Sequence, residues 1–396
     1  MRNHENNDTA AKRKKNKSGI FWAFINVFTF FLIIALCLAG EFIVSDKAYS
    51  ETENRSLEQK PEISVSAIKS GSFMSRFESY ASDQFPLRNT VVSAKSFIQR
   101  SLGSTEQNNV FIGKDGWLFE NQTPYNEEKV NKTVSAISEF SKECKIPNQV
   151  FMLVPNSTYY LKDKFPPFLT FDSQADQIKT IYGALPEKMK KADTVKMFDG
   201  VENIEEYYYK TDHHWTTRAA KTAFDHVASE LGIDASKTTF EFHTVTNSFC
   251  GTLASSSGIY SAADKIEICI PSNCNGQYFV NNADTKTKTP SLFELSKLNQ
   301  TNKYEVFAGG NFSRLTISTT NINGKNLLIF KDSYANCFIP MLTPYYQNIV
   351  VIDARYFTDN IDQVLSDYNF SDMLILYNVN TFLDDTSLKD ILRRSK

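Results

Sequence analysis

Short apolar runs alternate with longer amphipathic segments along much of the chain. Runs rich in β-branched and aromatic residues predict buried strands, and apolar residues three or four apart predict the helices between them. The predicted strands are Gln149–Val154, Val195–Phe198, Asn326–Lys331, Asn348–Ile352 and Met373–Tyr377. The predicted helices are Asn126–Lys142, Ala175–Lys191, Thr216–Leu231 and Tyr334–Leu342. Because such strands need right-handed crossovers, the pattern predicts an α/β fold with a mainly parallel sheet.

Three regions depart from this alternation. Phe73–Leu102 has helical spacing that Pro86 interrupts, so we expect one helix to end and another to begin there. Residues 111–119 predict a β-hairpin with its turn at Lys114-Asp115-Gly116. Residues 232–302 are rich in Ser, Thr and Asn, and their apolar residues show little regular spacing. We expect them to form a small insertion of loops and short strands over one end of the sheet.

The longest apolar run is 20–39, which contains no charged residue and is long enough to cross a hydrocarbon layer of about 30 Å. The first nineteen residues carry six basic and two acidic side chains. The positive-inside rule therefore predicts a cytoplasmic tail over 1–19 and a single-pass signal anchor over 20–39, with a stalk over 40–72 and an extracytoplasmic domain over 73–396. A cleaved signal peptide is the alternative, although no small-residue cleavage site follows the run.

The composition of the chain bears on which partners it can bind and on whether its cysteines form disulfides. The net charge is −2, and after the basic tail the remaining chain is acidic, which argues against nucleic acid as a partner. Six cysteines occur without a CxxC pair, and one of them, Cys37, falls in the predicted anchor. Cys269 and Cys274 are close enough in sequence to form a disulfide, but free buried thiols are the default expectation.

Candidate chemistry centres on Asp212-His213-His214-Trp215, which holds two of the five histidines. Asp212 and His214 lie two residues apart, so in an extended segment their side chains point the same way. An aspartate in that position fixes the tautomer of an imidazole that takes up and returns a proton. Ser333 follows the predicted strand Asn326–Lys331, where backbone N–H groups at the start of a helix suit an alkoxide nucleophile. The pattern predicts a serine acyl-transfer site.

Two other readings fit the same residues. Asp212 and Ser333 are both good helix caps, the former for a helix that begins near Thr216. The adjacent histidines are also potential metal ligands if His226 or His243 joins them. However, His226 falls in the middle of a predicted helix and no HExxH spacing exists, so we expect neither a metal nor another cofactor.

Several motifs at fixed spacing resemble those of the DHHW family of bacterial surface proteins, which is similar to the alginate O-acetyltransferase branch of the SGNH-type hydrolases. The resemblance extends from about Glu51 to the C-terminus. It rests on Asp212–Trp215, Lys331–Tyr334, Glu53–Arg55, Asp83–Arg88, Gly113–Phe119, Val154-Pro155, Gly309–Asn311 and Asp353–Tyr356.

The resemblance implies an SGNH-like α/β/α sandwich in which the Asp-x-His pair precedes the serine, the reverse of the usual SGNH order. It also implies a triad of Ser333, His214 and Asp212. His214 is favoured over His213 because the alginate relatives carry a non-histidine residue at the middle position of this motif. This chain lacks an early Gly-Asp-Ser-Leu block, so the usual oxyanion donors cannot be transferred to it.

In place of those donors we expect the Ser333 N–H, the Gly310 N–H and Asn311 to bind the oxyanion, and Arg355 to contact substrate. The resemblance further implies an O-acetyltransferase that acts on exopolysaccharide or cell-wall glycan, with a membrane-bound O-acyltransferase as the partner that supplies acetyl groups. A carbohydrate esterase and a non-catalytic glycan-binding scaffold are the alternatives.

Overall fold

The computed structural model describes residues 21–32, 34–35, 45–47, 49–50, 55–260, 262–272 and 277–393. The chain divides after Lys95 into two compact units. Besides the helical residues 21–32 and 34–35, the described part of the first unit has short strands β1 and β2, which three further helices follow, and the last of these continues past Lys95. Their bounds are Tyr49–Ser50 (β1), Arg55–Ser56 (β2), Val65–Ser70 (α1), Ser72–Gln84 (α2) and Arg88–Ser101 (α3). The break between α2 and α3 confirms the interruption predicted at Pro86.

The predicted membrane anchor coincides only in part with the described residues. Residues 21–32 and 34–35 are helical, and the rest of the span 20–39 lies outside the described residues, as does the tail 1–19. Nowhere in the described part of the chain does a helix combine the length and apolar character that crossing a bilayer requires. The anchor and its orientation stay predictions. Cys37 and Cys274 also lie outside the described residues, so the Cys269–Cys274 bridge stays open.

The second unit contains the remaining strands and helices. Its strands are Glu106–Gln107 (β3), Val110–Ile112 (β4), Leu118–Glu120 (β5), Asn148–Val154 (β6), Lys190–Lys191 (β7), Phe240–Phe249 (β8), Asp264–Pro271 (β9), Tyr278–Asn282 (β10), Thr287–Thr289 (β11), Arg314–Thr319 (β12), Asn326–Lys331 (β13), Asn348–Asp353 (β14) and Asp372–Asn378 (β15). Its α-helices are Glu127–Glu143 (α4), Ser157–Tyr160 (α5), Gln174–Ala184 (α6), Thr217–Val227 (α7), Thr252–Ser257 (α8), Ile361–Asp367 (α9), Val379–Asp384 (α10) and Ser387–Leu392 (α11).

The main sheet has the strand order β11-β10-β12-β14-β13-β15-β6-β7. The five strands from β14 to β7 are parallel, and β13 lies at their centre, with Leu328 in register with Val350 on β14 and Met373 on β15. The carboxyl ends of these strands therefore meet at one edge of the sheet. In α/β folds, that edge is where ligands bind.

The predicted α/β class is confirmed, but the sheet is mixed rather than mainly parallel. Strands β10, β11 and β12 add antiparallel pairings at one side. The first two come from the region 232–302, which was expected to lie over the end of the sheet. They form a hairpin across a short turn, where Lys286 adopts a positive φ of 56°. A connection this short permits only antiparallel pairing, so this hairpin extends the sheet, whereas β8 and β9 of the same region form a separate two-stranded sheet.

Alternate residues of the central strands face two separate cores. Along β13, Leu327 and Ile329 pack on the side of α7, whereas Leu328 and Phe330 pack on the side of α4. Both faces of the sheet are thus covered, which accounts for the continuous apolar runs in the sequence. The two-sided burial fixes the position of the loop that follows β13.

Two predicted elements differ from the structure. Residues 195–198 form consecutive turns, and the strand beside β6 is Lys190–Lys191 instead, because α6 already ends at Ala184. The segment predicted as one helix over Tyr334–Leu342 consists of two 3-10 turns, Ser333–Cys337 and Ile339–Leu342. Pro340 lacks the amide hydrogen that a continuous helix would need.

Candidate active site

Ser333 lies immediately beyond the carboxyl end of β13, at the centre of the parallel part of the sheet. The residue is 8% exposed and begins the 3-10 turn Ser333–Cys337. The cap of that turn is Asp332, whose carboxylate accepts from the Tyr334 N–H at 2.9 Å. The alternative reading of Ser333 as the cap is therefore wrong, and its hydroxyl is available for another partner.

That partner is His214. The Nε2 atom of His214 lies 2.7 Å from the Ser333 hydroxyl oxygen, and its Nδ1 atom lies 2.5 Å from Oδ1 of Asp212. The backbone N–H of His214 donates to the same carboxylate oxygen at 2.9 Å. Since an ionised aspartate only accepts, Nδ1 carries the hydrogen and Nε2 accepts from Ser333. This is the hydrogen-bond order that general-base activation of a serine requires.

Asp212 is fully buried and is tied to a second element. Its Oδ2 atom accepts from the backbone N–H of Thr252 at 2.8 Å and from the Thr252 hydroxyl at 3.0 Å. Burial alone would raise the pKa of Asp212, but His214, His213 and the Thr252 N–H hold that pKa well below its usual range. Asp212 is therefore ionised at neutral pH. The helix that begins nearby is capped by Thr216, so Asp212 does not have the alternative role of a helix cap.

The imidazole of His214 is held between two other rings. The Tyr304 ring stacks on it at 3.7 Å between centroids, with an angle of 11° between the planes. The His213 ring lies 3.9 Å away at 35°, and two rings this close must occupy opposite faces of the imidazole. The Tyr304 hydroxyl also donates to the Ser333 carbonyl at 3.2 Å. Packing on both faces fixes the orientation of the base.

Trp215 and Tyr334 join the histidine segment to the serine turn. The indole N–H of Trp215 donates to the Tyr334 carbonyl at 2.9 Å, and the Tyr334 hydroxyl donates to the His213 carbonyl at 2.6 Å. Both side chains are fully buried. These reciprocal bonds set the distance between Ser333 and His214, and they explain why large aromatic residues follow both chemical motifs.

Asp332 is a second buried carboxylate beside the nucleophile. It accepts from the Asn378 N–H at 2.8 Å and from the Asn378 side-chain amide at 2.6 Å, so it links the ends of β13 and β15. Burial raises the pKa of Asp332 from 3.8 to about 6, although Arg355 and these hydrogen bonds oppose the rise. Its role in the geometry is to hold the turn that carries Ser333.

Asn311 and Arg355 are joined through another buried charge, Lys331, whereas Gly310 is bonded within its own turn. The Lys331 ammonium donates to the Asn311 side-chain carbonyl at 2.9 Å and to Asp353 at 3.0 Å, and Arg355 pairs with the same Asp353 at 2.6 Å. The Gly310 N–H donates to a carbonyl in its own turn, that of Phe307, at 3.3 Å. The structure therefore gives all three residues partners within the protein. Their predicted roles toward an oxyanion or a substrate stay predictions.

Glu120 and Thr252 also contribute to this site, and no sequence pattern pointed to either of them. Glu120 ends β5 and accepts from the Asn156 side chain at 2.9 Å. Burial raises the pKa of Glu120, and the nearby His213 partly offsets that effect. Neither residue belongs to a recognisable motif. The Lys-Asp-Gly turn before β5 was the one sequence signal near Glu120, and it indicated only a hairpin.

Asp212, His213 and His214 are also the three described residues whose potential metal-ligand atoms lie within 4.8 Å of one another. However, both nitrogens of His214 and both oxygens of Asp212 are already hydrogen-bonded to other protein groups. His226 and His243 are exposed on α7 and β8. The donor atoms of the cluster pair with one another rather than point toward a common centre, so the arrangement fits hydrogen-bond chemistry better than metal binding.

A cavity of about 350 Å³ lies in the same unit and shares residues with the hydrogen-bond network around Glu120. Gln174 lines this cavity and donates to the Asn156 side chain at 3.1 Å, and Asn156 in turn donates to Glu120. Its lining combines aromatic and polar side chains, namely Gln122, Thr158, Tyr159, Lys162, Phe165, Leu169, Thr170, Phe171, Asp172 and Gln174.

Comparison with known proteins identifies a family and similar folds. Residues 150–352 match the family described as DHHW protein. No curated protein sequence matches the chain. Eleven chains of solved structures are similar to it.

One of them is a DHHW family protein from Eubacterium siraeum, with 23% identity, a TM-score of 0.62, and coverage of 74% of this chain and 98% of that one. Bacillus cereus PatB1, solved with a sulfonyl adduct, has 20% identity and a TM-score of 0.60, with coverage of 71% and 97%. The O-acetyltransferase domain of Pseudomonas putida AlgJ is more distant, with 12% identity, a TM-score of 0.45, and coverage of 72% and 99%. At such identities the similarities concern the fold.

Proposed function

This chain belongs to the DHHW protein family, and from that premise we propose that it is an SGNH-like serine acyl-transfer enzyme that O-acetylates a glycan. The observation that carries the proposal is the hydrogen-bonded series from Ser333 through His214 to Asp212, with distances of 2.7 and 2.5 Å. All three side chains are buried, and each has the partner that its role requires.

In the first half-reaction, the Ser333 oxygen attacks the carbonyl carbon of an acetyl ester while its proton passes to Nε2 of His214. The imidazolium that forms is stabilised by the ionised Asp212 through the Nδ1–H bond. When the tetrahedral intermediate collapses, the bond to the leaving oxygen breaks and His214 returns the proton to that oxygen. The product is acetyl-Ser333, with His214 neutral again.

In the second half-reaction, a sugar hydroxyl gives its proton to Nε2 of His214 and attacks the acetyl carbon. The bond to the Ser333 oxygen then breaks, and His214 reprotonates that oxygen. If water replaces the sugar, the same steps give hydrolysis, which is the esterase alternative. The acceptor alone separates these two activities.

The backbone N–H of Ser333 is the oxyanion donor that we favour. Among the described residues it donates to no acceptor, whereas the Gly310 N–H is engaged in its own turn. A free N–H at the start of a turn, next to the nucleophile, suits an oxyanion. The Asn311 amide, whose oxygen is engaged with Lys331, remains the proposed second donor, and Arg355 the proposed substrate contact.

The proposal also covers the cellular location of the enzyme and the molecules with which it acts. We assign the chain to the cell membrane, anchored through residues 20–39 with its N-terminus cytoplasmic, because that run is free of charges and follows a basic tail. An exopolysaccharide or cell-wall glycan would be the acceptor. A membrane-bound O-acyltransferase would supply the acetyl group from across the bilayer. The aromatic and polar lining of the cavity beside Asn156 is of a kind that binds sugars.

The test is the release of p-nitrophenol from p-nitrophenyl acetate by the full-length protein in mild detergent. Parent protein is compared with Ser333→Ala, His214→Ala and the exposed control His226→Ala. We expect turnover in the parent and in the control, and none above background in the other two. Equal background in all four folded proteins would reject the enzyme and favour a glycan-binding scaffold.

A further inference from the structure

His213 has a defined tautomer that the acyl-transfer mechanism does not require. Its Nδ1 atom lies 2.6 Å from the Thr252 hydroxyl oxygen. That hydroxyl has one hydrogen and donates it to Asp212 at 3.0 Å, because the ionised carboxylate can only accept. The Thr252 oxygen therefore accepts from His213, so Nδ1 of His213 carries the hydrogen and Nε2 presents a lone pair.

The imidazole of His213 packs against that of the base, His214. Nδ1 of His214 lies 2.5 Å from Oδ1 of Asp212, and Nδ1 of His213 lies 4.0 Å from the same oxygen. The ring centroids are 3.9 Å apart with 35° between the planes, so Nε2 of His213 lies close to the imidazole whose own Nε2 meets Ser333. The two Nε2 atoms are thus neighbouring acceptors.

Only one of these two acceptors has a protein partner. Within the described residues, Nε2 of His213 makes no hydrogen bond, and its side chain is 27% exposed, against 6% for His214. Burial and the neighbouring His214 lower the pKa of His213, while Asp212, Glu120 and Asp332 act in the opposite direction. At neutral pH the atom is an exposed lone pair beside the reaction centre, free to bind a donor from a ligand.

Building on the proposed acetyl transfer, we infer that His213 selects the acceptor by binding a second hydroxyl next to the one that reacts. One hydroxyl gives its proton to Nε2 of His214 and attacks the acetyl carbon. Its neighbour on the adjacent carbon donates a hydrogen bond to Nε2 of His213. The acceptor class is then a vicinal diol, as in a sugar ring with adjacent free hydroxyls, and Thr252 is the positioning residue that keeps the His213 lone pair available.

The experiment compares acceptors that differ by one hydroxyl. Full-length protein is acetylated with p-nitrophenyl acetate in the presence of cyclohexanol or of cis- or trans-cyclohexane-1,2-diol, and the acetylated alcohol is measured relative to free acetate. Per hydroxyl, we expect the parent to prefer at least one diol over cyclohexanol by about tenfold, since the site accepts an extra hydrogen bond that cyclohexanol cannot donate.

A matched pair of variants locates the effect at one nitrogen. The Gln amide reaches the position of Nε2, so His213→Gln should keep most of the preference. The shorter Asn amide reaches only the position of Nδ1, so His213→Asn should reduce the preference to about onefold, while acetyl-enzyme remains detectable by intact mass. His226→Gln, on the surface of α7, is the control and should behave as the parent does.

The outcomes separate this inference from the function on which it rests. Acetyl-enzyme that forms with no preference for a diol in the parent, or with a preference that His213→Asn retains, would overturn the role of His213 and leave acyl transfer intact. No acetyl-enzyme in the parent would overturn both. The comparison of acceptors by the parent alone decides the matter if His213→Asn does not fold.

Discussion

Ser333 and His214 are separated by 119 positions in the chain, yet the hydroxyl of one lies 2.7 Å from Nε2 of the other. This distance depends on the hydrogen bonds that hold each of the two residues in place. Asp212 and Thr252 orient the histidine, while Asp332 and Asn378 hold the turn that carries the serine. Substitutions at these supporting residues should therefore affect the site as well as substitutions in the triad.

Gly251 leaves no room for a side chain beside Asp212. A β-carbon added there would overlap the Asp212 side chain, although the backbone φ of −84° suits any residue. Gly251→Ala should therefore displace the carboxylate and lower kcat for p-nitrophenyl acetate by about 100-fold, as misplacement of a catalytic group does. The control is Gly183→Ala in α6, where nothing lies within 4 Å. Activity in Gly251→Ala equal to that of the control would show that Asp212 does not orient the base.

The Tyr334 hydroxyl should contribute to stability through two buried partners. It donates to the His213 carbonyl and accepts from the Asn156 side chain at 3.2 Å. Tyr334→Phe leaves the buried His213 carbonyl without its partner and removes one acceptor of the Asn156 amide, which keeps Glu120, so we expect the free energy of unfolding in urea to fall by about 1–3 kcal/mol. Tyr356→Phe is the control, because Tyr356 is 50% exposed. Equal urea midpoints for the two variants would mean that the Tyr334 hydroxyl does not help to join the histidine segment to the turn that carries Ser333.

Burial of Asp332 should make stability depend on pH in a definite direction. Its folded-state pKa of about 6 lies above the ordinary 3.8, so the folded protein holds the proton more tightly than the unfolded chain does. The stabilisation from that proton is complete below pH 4 and is lost as pH rises through 6, a change on the order of 3 kcal/mol. The parent's free energy of unfolding should therefore fall relative to that of Asp332→Asn as pH rises from 4 to 6.

Urea unfolding at a series of pH values measures this difference. In Asp332→Asn, the altered hydrogen bonds to Asn378 and Tyr334 change the free energy of unfolding by the same amount at every pH. The informative quantity is therefore how the difference in free energy of unfolding between parent and variant changes with pH. Asp163→Asn, at an exposed position, should run parallel to the parent. A flat difference between the parent and Asp332→Asn would contradict the raised pKa.

The three residues of the proposed triad could be singled out in the sequence because each carries a local signal. Ser333 follows a strand whose continuous apolar run reflects burial on both faces, and Asp212 and His214 share a face because they lie two residues apart. Their convergence was not visible in the pattern. The carboxyl-edge rule for parallel sheets marked Ser333 as a candidate, and the convergence of the three residues was expected from the resemblance to a family.

Other parts of the site and fold depend on tertiary contacts that no local pattern records. Thr252 lies in the region 232–302, which has little hydrophobic periodicity. The sequence there therefore gave no sign of the short helix α8 or of strands β10 and β11 in the mixed sheet. Tyr304 stacks on His214 from a single 3-10 turn, Lys303–Val306. The tautomer of His213 becomes evident only once the Thr252 hydroxyl is located.

The central claim is that Ser333 carries the acyl group, and the most direct measurement is to trap it there. Full-length protein is mixed with p-nitrophenyl acetate, quenched in acid and digested, and the peptide that contains Ser333 is analysed by mass spectrometry. The account predicts one acetyl group on Ser333 in the parent and none in Ser333→Ala. Acetylation found equally on surface lysines and in Ser333→Ala, with the Ser333 peptide unmodified in the parent, would contradict it.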